Sequence, residues 1–182
     1  MVAQLARLTG RPVRWTESRT ENLIGYVHGR AQKQRVTMGG TRDGRITTYR
    51  LEVVQDCGAY PLWGPFLPEF TRQMACGVYD IAEVEYSAKS VATNTAPVTA
   101  YRGAGRPEAT AAIERAVDMF AAEIGMDPAE VRRINLIPSN AFPFTTRTGT
   151  SYDSGEYETA LDAALEAVDY ASLRAEQQRR RE

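Results

Sequence analysis

The sequence predicts an α+β fold in which a β-rich part is followed by a helical part. Residues 32–38 and 46–56 are rich in β-branched side chains and enclose an Asp-Gly pair, which is the pattern of a β-hairpin. Residues 113–124 carry apolar side chains at helical spacing. The length of 182 residues fits one domain, at about 150 residues per domain, with a core of its own.

Short elements precede the hairpin. Residues 2–8 are predicted to form a helix that ends at Gly10, because glycine adopts the left-handed backbone of a helix C-terminus without strain. Residues 17–24 are predicted to form a second short helix. In the hairpin, alternate apolar residues of the second strand share one face, which is predicted to be buried. These residues are Tyr49, Leu51 and Val53.

The β-rich part continues after the hairpin. Gly58 interrupts the alternation and is predicted to mark a bulge or a close approach of two backbones. Residues 61–68 contain three prolines and four large apolar residues, so they are predicted to form a hydrophobic loop that another surface covers. Residues 84–91 and 97–101 are predicted to form two further strands.

Three helices are predicted after these strands. The first begins near Pro107, since proline is tolerated in the first turn of a helix. Its inward stripe consists of Ile113, Val117, Phe120 and Ile124. The second helix runs from the N-cap Asp127 to about Asn135. The third begins at Asp153 or Ser154. Its inward residues are Tyr157, Leu161, Leu165 and Val168.

Charge is distributed unevenly along the chain. The formal net charge is −1, from 22 basic and 23 acidic side chains, but the first 50 residues hold ten Arg or Lys against three acids. Such a surplus marks an anion-binding face or is paired with acidic neighbours, in this chain or another. Residues 179–181 are three arginines that are expected to form a solvated helix end. No basic stripe interleaved with aromatic residues follows, so no nucleic-acid partner is expected.

The composition indicates neither a membrane-spanning segment nor a metal site. The chain has no run of about 18 apolar residues and no secretory-type N-terminus, which predicts a cytoplasmic chain without a membrane partner. Cys57, Cys76 and His28 are its only cysteines and histidine. They are too few for a zinc site of Cys and His ligands, so no direct metal ligand is expected. His28 is expected to have a structural role, and both cysteines are expected to be reduced.

One segment combines a short strand, a glycine loop and the start of a helix. Gly103 and Gly105 allow a close backbone approach or a positive φ, while Arg102 and Arg106 add two permanent positive charges. Together with the N–H groups of the following helix, these residues predict an anion site. Glu108 stands where a dinucleotide fingerprint has its third glycine, so a Rossmann site is not expected. A tight corner in which the arginines cap carbonyls is the structural alternative.

Residues 100–109, with the sequence Ala-Tyr-Arg-Gly-Ala-Gly-Arg-Pro-Glu-Ala, resemble the active-site loop of the molybdenum hydroxylase large subunits. This family includes the xanthine dehydrogenases, the aldehyde oxidases and the aerobic carbon monoxide dehydrogenases. The resemblance is to its form II, carbon monoxide dehydrogenase-like branch. Further motifs of the family occur in the same order at residues 10–22, 28–30, 56–60, 123–137 and 150–155.

The resemblance implies a bound molybdenum-pyranopterin, in the plain or the cytosine dinucleotide form. The residues implied to hold it are Arg102, Gly103, Ala104 and Gly105. The residues implied to shape the substrate pocket are Tyr101, Ala104 and Phe70. Ala104 replaces the aromatic side chain, and Phe70 the arginine, that purine hydroxylases use for their substrate, so a purine is not expected. Gly103 replaces the copper-binding cysteine of true carbon monoxide dehydrogenases, so carbon monoxide oxidation is not expected either.

The resemblance also implies a larger enzyme. The chain would be an internal fragment of the first molybdopterin-binding domain, with residues 1–101 as its β-rich part and residues 102–182 as cofactor loop and helices. The enzyme would hydroxylate an aldehyde or an aromatic N-heterocycle with oxygen from water. Electrons would pass to partner subunits that carry [2Fe–2S] clusters and FAD. The catalytic base, a glutamate in a Gly-Glu motif, is expected in the remainder of the large subunit, so the chain alone is expected to be inactive.

Two other functions remain open from the sequence. The loop at residues 102–106 also suits a small anion- or nucleotide-binding module. The apolar residues 61–68 also suit a non-catalytic interaction or assembly domain.

Overall fold

A three-stranded mixed sheet lies at the centre of the structure, a computed structural model that describes residues 1–181. Its strands are β1 (Gln32–Gly40), β2 (Ile46–Asp56) and β3 (Glu83–Val91), in the spatial order β1-β2-β3. β1 pairs antiparallel with β2, as the predicted hairpin requires, and β2 pairs parallel with β3. Residues 57–82 join the parallel pair, because parallel neighbours need a crossover connection. Glu182, the end of the predicted helical part, lies outside the described residues.

The described part of the chain contains seven α-helices. They are α1 (Val2–Thr9), α2 (Arg19–Gly25), α3 (Leu67–Gln73), α4 (Arg106–Ile124), α5 (Pro128–Asn135), α6 (Tyr157–Ala167) and α7 (Tyr170–Arg179). Of these, α3 and α4 pack against the three-stranded sheet. A second, two-stranded sheet pairs β4 (Phe144–Thr145) with β5 (Ser151–Tyr152). Among residues 1–181, no helix has both the length and the apolar character needed to cross a lipid bilayer.

The core lies between the sheet and α4. β2 contributes the three side chains predicted from its alternation, Tyr49, Leu51 and Val53. α4 places Ile113 and Val117, both fully buried, in the same core. Phe120 and Ile124, the other members of the predicted stripe, are partly buried at its edge. The predicted inward face of α4 is therefore confirmed, with its N-terminal half the more deeply buried.

Asn135, the last residue of α5, fastens the hairpin to the helices from inside the protein. Its side chain is fully buried. The Oδ1 atom accepts a hydrogen bond from the N–H of Ile46 (2.9 Å), and Nδ2 donates to the carbonyls of Gly44 (2.8 Å) and Val131 (2.7 Å). The turn before β2 is thus tied to α5 with every polar atom of the amide matched. α5 begins where predicted, after the N-cap Asp127.

Several local predictions are confirmed. Gly10 ends α1 with a φ of 64°. Gly58 has a φ of 71° and lies so close to Ala96 that a Cβ would stand 2.3 Å from the Ala96 carbonyl oxygen, so it marks a close backbone approach. α2 begins two residues later than predicted, because Ser18 and Glu21 form a capping box at its N-terminus.

Two predictions for the β-rich part are wrong. Residues 97–101 form no strand, and within the described chain they contribute a single bridge, between Val98 and His28. The chain turns into the glycine loop directly afterwards, which prevents longer pairing. Residues 61–68 are not a loop throughout, because a 3-10 turn at Gly64–Phe66 leads into α3. Pro65 and Pro68 occupy first-turn positions of these two elements. Of the three helices in the part predicted to be β-rich, α1 and α2 agree with the prediction, and only α3 was not predicted.

The prediction for the C-terminal helix is also wrong. α6 takes Glu156 as its N-cap, rather than Asp153 or Ser154. The helix then breaks at Asp169, whose φ of 47° is left-handed, and the chain continues as α7. Four helices, rather than three, therefore follow β3. Neither α6 nor α7 buries a residue, and Val168, which was predicted to face inward, is 54% exposed.

Candidate functional site

The loop that enters α4 has an unusual backbone. Gly103, Ala104 and Gly105 have φ values of 95°, 46° and 86°, all in the left-handed region. The Ala104 N–H donates to the carbonyl of Tyr101 at 2.7 Å. The Arg106 N–H donates to the carbonyl of Gly103 at 3.2 Å. Because a left-handed alanine costs about 1 kcal/mol or more, neighbouring contacts must hold this shape.

Both glycines are required by close neighbours. A Cβ at Gly105 would stand 2.4 Å from the carbonyl oxygen of Leu67 and 2.9 Å from the backbone nitrogen of Thr71, so the loop packs directly on α3. A Cβ at Gly103 would stand 2.5 Å from the ring of Pro107. The predicted close approach of the backbone is therefore confirmed at both positions.

Arg102 presents an unpaired guanidinium on the exposed side of the loop. Within residues 1–181 its side chain makes no ion pair or hydrogen bond, and the N–H groups of Arg102 and Gly103 find no acceptor. Such donors beside the N-terminus of α4 favour an anion or a polar heterocycle. Arg106 differs, because its guanidinium stacks on Phe70 at 5.0 Å and donates to the Gly103 carbonyl at 3.3 Å. The carbonyl-capping alternative thus describes Arg106 and not Arg102.

Two aromatic side chains lie beside the loop, and each contacts a different arginine. Tyr101 is 67% exposed, and its ring centre lies 5.1 Å from the guanidinium carbon of Arg30. Phe70 is half-buried beneath Arg106. No contact joins the two rings in the part of the chain that is described. In sequence, Ala104 lies between Tyr101 and Arg106, and its side chain is only a methyl group.

Two residues that sequence analysis did not assign to the site, Arg30 and Glu108, meet beside the loop. Arg30 Nη1 lies 2.9 Å from Glu108 Oε2, and Arg30 Nη2 donates to the carbonyl of Arg102. The Glu108 side chain is 8% exposed and pairs with no other cation among residues 1–181. One signal pointed to them, since each belongs to a motif of the resemblance. Their contact across 78 positions could not be derived from local patterns.

The histidine and the cysteines have structural settings. The backbone N–H of His28 donates to the carbonyl of Pro97 at 3.0 Å, and the ring nitrogen Nε2 lies 2.9 Å from the carbonyl oxygen of Leu23. Cys57 and Cys76 are both buried free thiols. Burial raises the pKa of Cys57, which disfavours its thiolate. No group of three or more His, Cys, Asp or Glu side chains within residues 1–181 is arranged to hold a metal ion.

Residues 1–136 match the molybdopterin cofactor-binding domain family. The chain belongs to this family. This molybdopterin cofactor-binding domain is 43% identical to the carbon monoxide dehydrogenase large chain of Hydrogenophaga pseudoflava, over 94% of the chain and 22% of that relative. It is 34% identical to the nicotine 6-hydroxylase large subunit of Paenarthrobacter nicotinovorans, over 93% of the chain and 21% of that relative. The chain therefore spans about a fifth of the length of these curated relatives.

A solved structure shares the fold of this molybdopterin cofactor-binding domain. Quinoline 2-oxidoreductase from Pseudomonas putida 86 matches with a TM-score of 0.91 at 33% identity, over 99% of this chain and 23% of that chain. The predicted α+β fold and the predicted membership of the molybdenum hydroxylase family are confirmed, and the family is one of oxidoreductases. The six predicted site residues, together with Arg30 and Glu108, all lie in the matched part of the chain.

Proposed function

We propose that residues 102–105 hold part of a molybdenum-pyranopterin cofactor, in the plain or the cytosine dinucleotide form. The observation that carries the proposal is a group of donors without an acceptor among residues 1–181, at the start of α4: the guanidinium of Arg102 and the N–H groups of Arg102 and Gly103. A pyranopterin offers matching acceptors in its phosphate and ring heteroatoms. Ala104 and Gly105 contribute through backbone alone, since neither has a side chain beyond a methyl group.

The chain's own residues have two tasks around this group. When bound, the cofactor supplies the centre that transfers oxygen derived from water and takes up electrons. Arg102 binds and orients it, because a guanidinium makes directional hydrogen bonds to anionic oxygens. Tyr101, Ala104 and Phe70 shape the side from which the substrate approaches. The small side chain of Ala104 leaves space there for a planar molecule.

We infer that the whole enzyme hydroxylates an aldehyde or an aromatic N-heterocycle. Support comes from two similar proteins whose names state N-heteroaromatic substrates, nicotine and quinoline. The proposal does not extend to carbon monoxide, although a carbon monoxide dehydrogenase is 43% identical. Soft Cu(I) needs a thiolate. Gly103 has none, and the two thiols of the chain, Cys57 and Cys76, are buried elsewhere in the fold.

Other parts of the enzyme complete the site in this proposal. Because the chain spans about a fifth of its curated relatives, we assign the catalytic glutamate and the remaining cofactor contacts to the rest of the large subunit. Partner subunits with [2Fe–2S] clusters and FAD carry the electrons away. The relatives are themselves named as large subunits, which supports an assembly of several chains.

Cofactor binding is tested on the large subunit that contains this chain, tagged and purified with its partner subunits from the cells that encode it. We expect molybdenum and pterin to copurify with the wild-type subunit, measured by elemental mass spectrometry and pterin fluorescence. Arg102→Met removes the guanidinium and should lower both at least about tenfold, as expected for a lost charged hydrogen bond. The matched control is Arg50→Met, which breaks an exposed 2.7 Å ion pair to Glu85 on the sheet and should retain full content. A folded wild-type subunit without molybdenum or pterin would contradict the proposal.

A turnover assay tests the proposed inactivity of the chain alone. The 182-residue chain, purified without other subunits, should not oxidise an aldehyde or an N-heterocycle in the presence of an artificial electron acceptor. Stoichiometric molybdenum together with turnover would overturn this part of the proposal.

A non-catalytic assembly role is a second candidate, favoured by one observation. Four large apolar side chains just before α3 are exposed, namely Tyr60, Leu62, Trp63 and Phe66. A patch of this kind marks a contact with another protein surface. Sedimentation should then show self-association that Trp63→Ser abolishes. A monomer whose residues 60–66 resist protease would remove this candidate.

A further inference from the structure

We propose that Arg30 and Glu108 are positioning residues that fix the direction in which the loop at residues 102–105 presents Arg102. The identity of the bound group rests on the proposed function, whereas the order of the loop does not. Arg30 contacts both the start of the loop and the helix that follows it. One guanidinium nitrogen lies 2.9 Å from Glu108, in the helix after the loop, and the other donates to the carbonyl of Arg102, the first residue of the loop. The same guanidinium lies over the ring of Tyr101.

Arg30 is itself held in a fixed place. His28 and Val98 form a bridge two residues before it. Gly29 lies so close to Tyr101 that a Cβ there would stand 2.7 Å from the Tyr101 Cβ. Arg30 has a φ of 63°, a backbone shape that non-glycine residues seldom adopt. The segment that carries Arg30 is therefore packed against the segment that enters the loop.

Glu108 is a buried carboxylate with a single cationic partner among residues 1–181. It lies in the first turn of α4, where the positive end of the helix also stabilises its charge. Removing Arg30 alone would leave this carboxylate buried and unpaired, which is strongly destabilising. Replacing both partners with apolar residues of similar length avoids that penalty. Stability and loop position can therefore be separated by experiment.

The loop depends on contacts of this kind because its own backbone is strained. Ala104 is left-handed, and the two turns that contain it close on single hydrogen bonds. Arg30 ties the first of these turns, at the carbonyl of Arg102, to Glu108 in the helix after them. Without it, we expect the turns to open and the guanidinium of Arg102 to lose its fixed direction. Binding would weaken although every residue that touches the bound group is still present.

Amide hydrogen exchange, followed by NMR on the 182-residue chain, measures the order of the loop. The reporters are the N–H groups of Ala104 and Arg106, which close the two turns. Arg30→Met should accelerate exchange at both by about tenfold. Arg50→Met, which removes an exposed pair of the same type on the sheet, should leave both unchanged.

The double variant Arg30→Met with Glu108→Met separates positioning from stability. Its melting temperature should recover to near the wild-type value, while exchange at Ala104 and Arg106 stays fast. Arg30→Lys keeps a charge beside Glu108 but has one ammonium group, so it should preserve the melting temperature and still loosen the loop. Unchanged exchange in Arg30→Met would overturn the proposal. So would restored protection in the double variant, because the pair would then be structural only.

Cofactor content of the same variants completes the test, on tagged large subunits purified with their partner subunits from the cells that encode them. A folded Arg30→Met subunit with about tenfold less molybdenum and pterin than the Arg50→Met subunit supports the proposal. A loosened loop with full cofactor content would overturn it. If the wild-type subunit carries no cofactor while exchange still depends on Arg30, the proposed function fails and the positioning of the loop stands.

Discussion

The core beneath α4 and the C-terminal pair of helices are held in place by different forces. Ile113 and Val117 of α4 are fully buried in one apolar cluster with the sheet. α6 and α7 bury no residue. Their contacts with the rest of the chain include ion pairs, which join Arg133 to Glu158 (3.3 Å), Arg133 to Asp162 (2.6 Å) and Arg174 to Asp127 (3.0 Å). The ring of Tyr157 also meets that of Phe142 at 5.6 Å.

The difference shows what an apolar stripe does and does not determine. α6 also carries apolar side chains at helical spacing, Tyr157, Leu161 and Leu165, yet these side chains are only half-buried. Spacing gives a helix an apolar face, but burial needs an apolar surface opposite it. α4 has the sheet, whereas α6 has the charged side of α5. Ion pairs therefore have a larger share in holding α6 and α7 than in holding the core.

The largest expected effect separates the two stripes directly. Ile113→Ala should lower the free energy of unfolding by about 3 kcal/mol, because it leaves a cavity in a fully buried site. Leu165→Ala, the matched change in α6, should cost about 1 kcal/mol or less. Urea denaturation followed by circular dichroism measures both. Equal losses would show that the two helices are held in the same way.

A smaller loss is expected from the polar centre of the core. Asn135→Ala removes three buried hydrogen bonds and leaves the N–H of Ile46 without an acceptor, so it should cost about 2 kcal/mol. Asn140→Ala changes an exposed side chain and should have no measurable effect. Similar urea midpoints for the two variants would mean that the buried amide adds little.

Salt should loosen the C-terminal helices and spare the core. At 1 M NaCl the screening length falls to about 3 Å, which weakens the exposed pairs of Arg133. We expect faster proteolysis between α5 and α6, with an unchanged unfolding midpoint for the sheet. Arg133→Met should reproduce the fast cleavage at low salt and remove its salt dependence. A cleavage rate that changes neither with salt nor in Arg133→Met would show that charge pairs do not hold these helices.

The smallest effect concerns a carboxylate at the end of β2. Hydrogen bonds from the Thr93 hydroxyl (2.7 Å) and the Gly58 N–H (2.8 Å) hold the pKa of Asp56 below its ordinary value. A lowered folded-state pKa gives stability above the unfolded pKa of about 3.9, which is lost as pH falls through the folded value. Thr93→Val should reduce this acid loss in urea midpoints measured between about pH 3 and 6. If the urea midpoints of Thr93→Val depend on pH in the same way as those of the wild type, Asp56 does not contribute to the acid loss of stability.

Much of the fold follows from local patterns. The hairpin, the stripe of α4, the Asp127 cap and the end of α1 at Gly10 each depend on residues a few positions apart, so sequence sufficed. The parallel pairing of β2 with β3 depends on how residues 57–82 pack, which no short pattern encodes. The break at Asp169 was missed because a left-handed aspartate leaves no reliable signature in an otherwise helical run.

The candidate site also has features that local sequence predicts and features that depend on the fold. The requirement for Gly103 and Gly105 was visible in the sequence, because glycine next to a helix start is a local signal. The different roles of Arg102 and Arg106 could not be predicted from the sequence. They depend on whether Phe70 and the Gly103 carbonyl lie within reach of each guanidinium. The pairing of Arg30 with Glu108 joins two distant segments and becomes visible only when the fold brings them together.

The parallel pairing of β2 with β3 also sets an order of events as the chain folds. The β1–β2 hairpin closes across one short turn, a step that takes about 1–10 μs in isolated hairpins. β3 pairs with β2 across residues 57–82, and Arg30 meets Glu108 across 78 positions. Contacts between distant residues form late, because loop closure opposes them. We therefore expect the hairpin to form first, and the β2–β3 pairing and the loop that presents Arg102 to take their shape later.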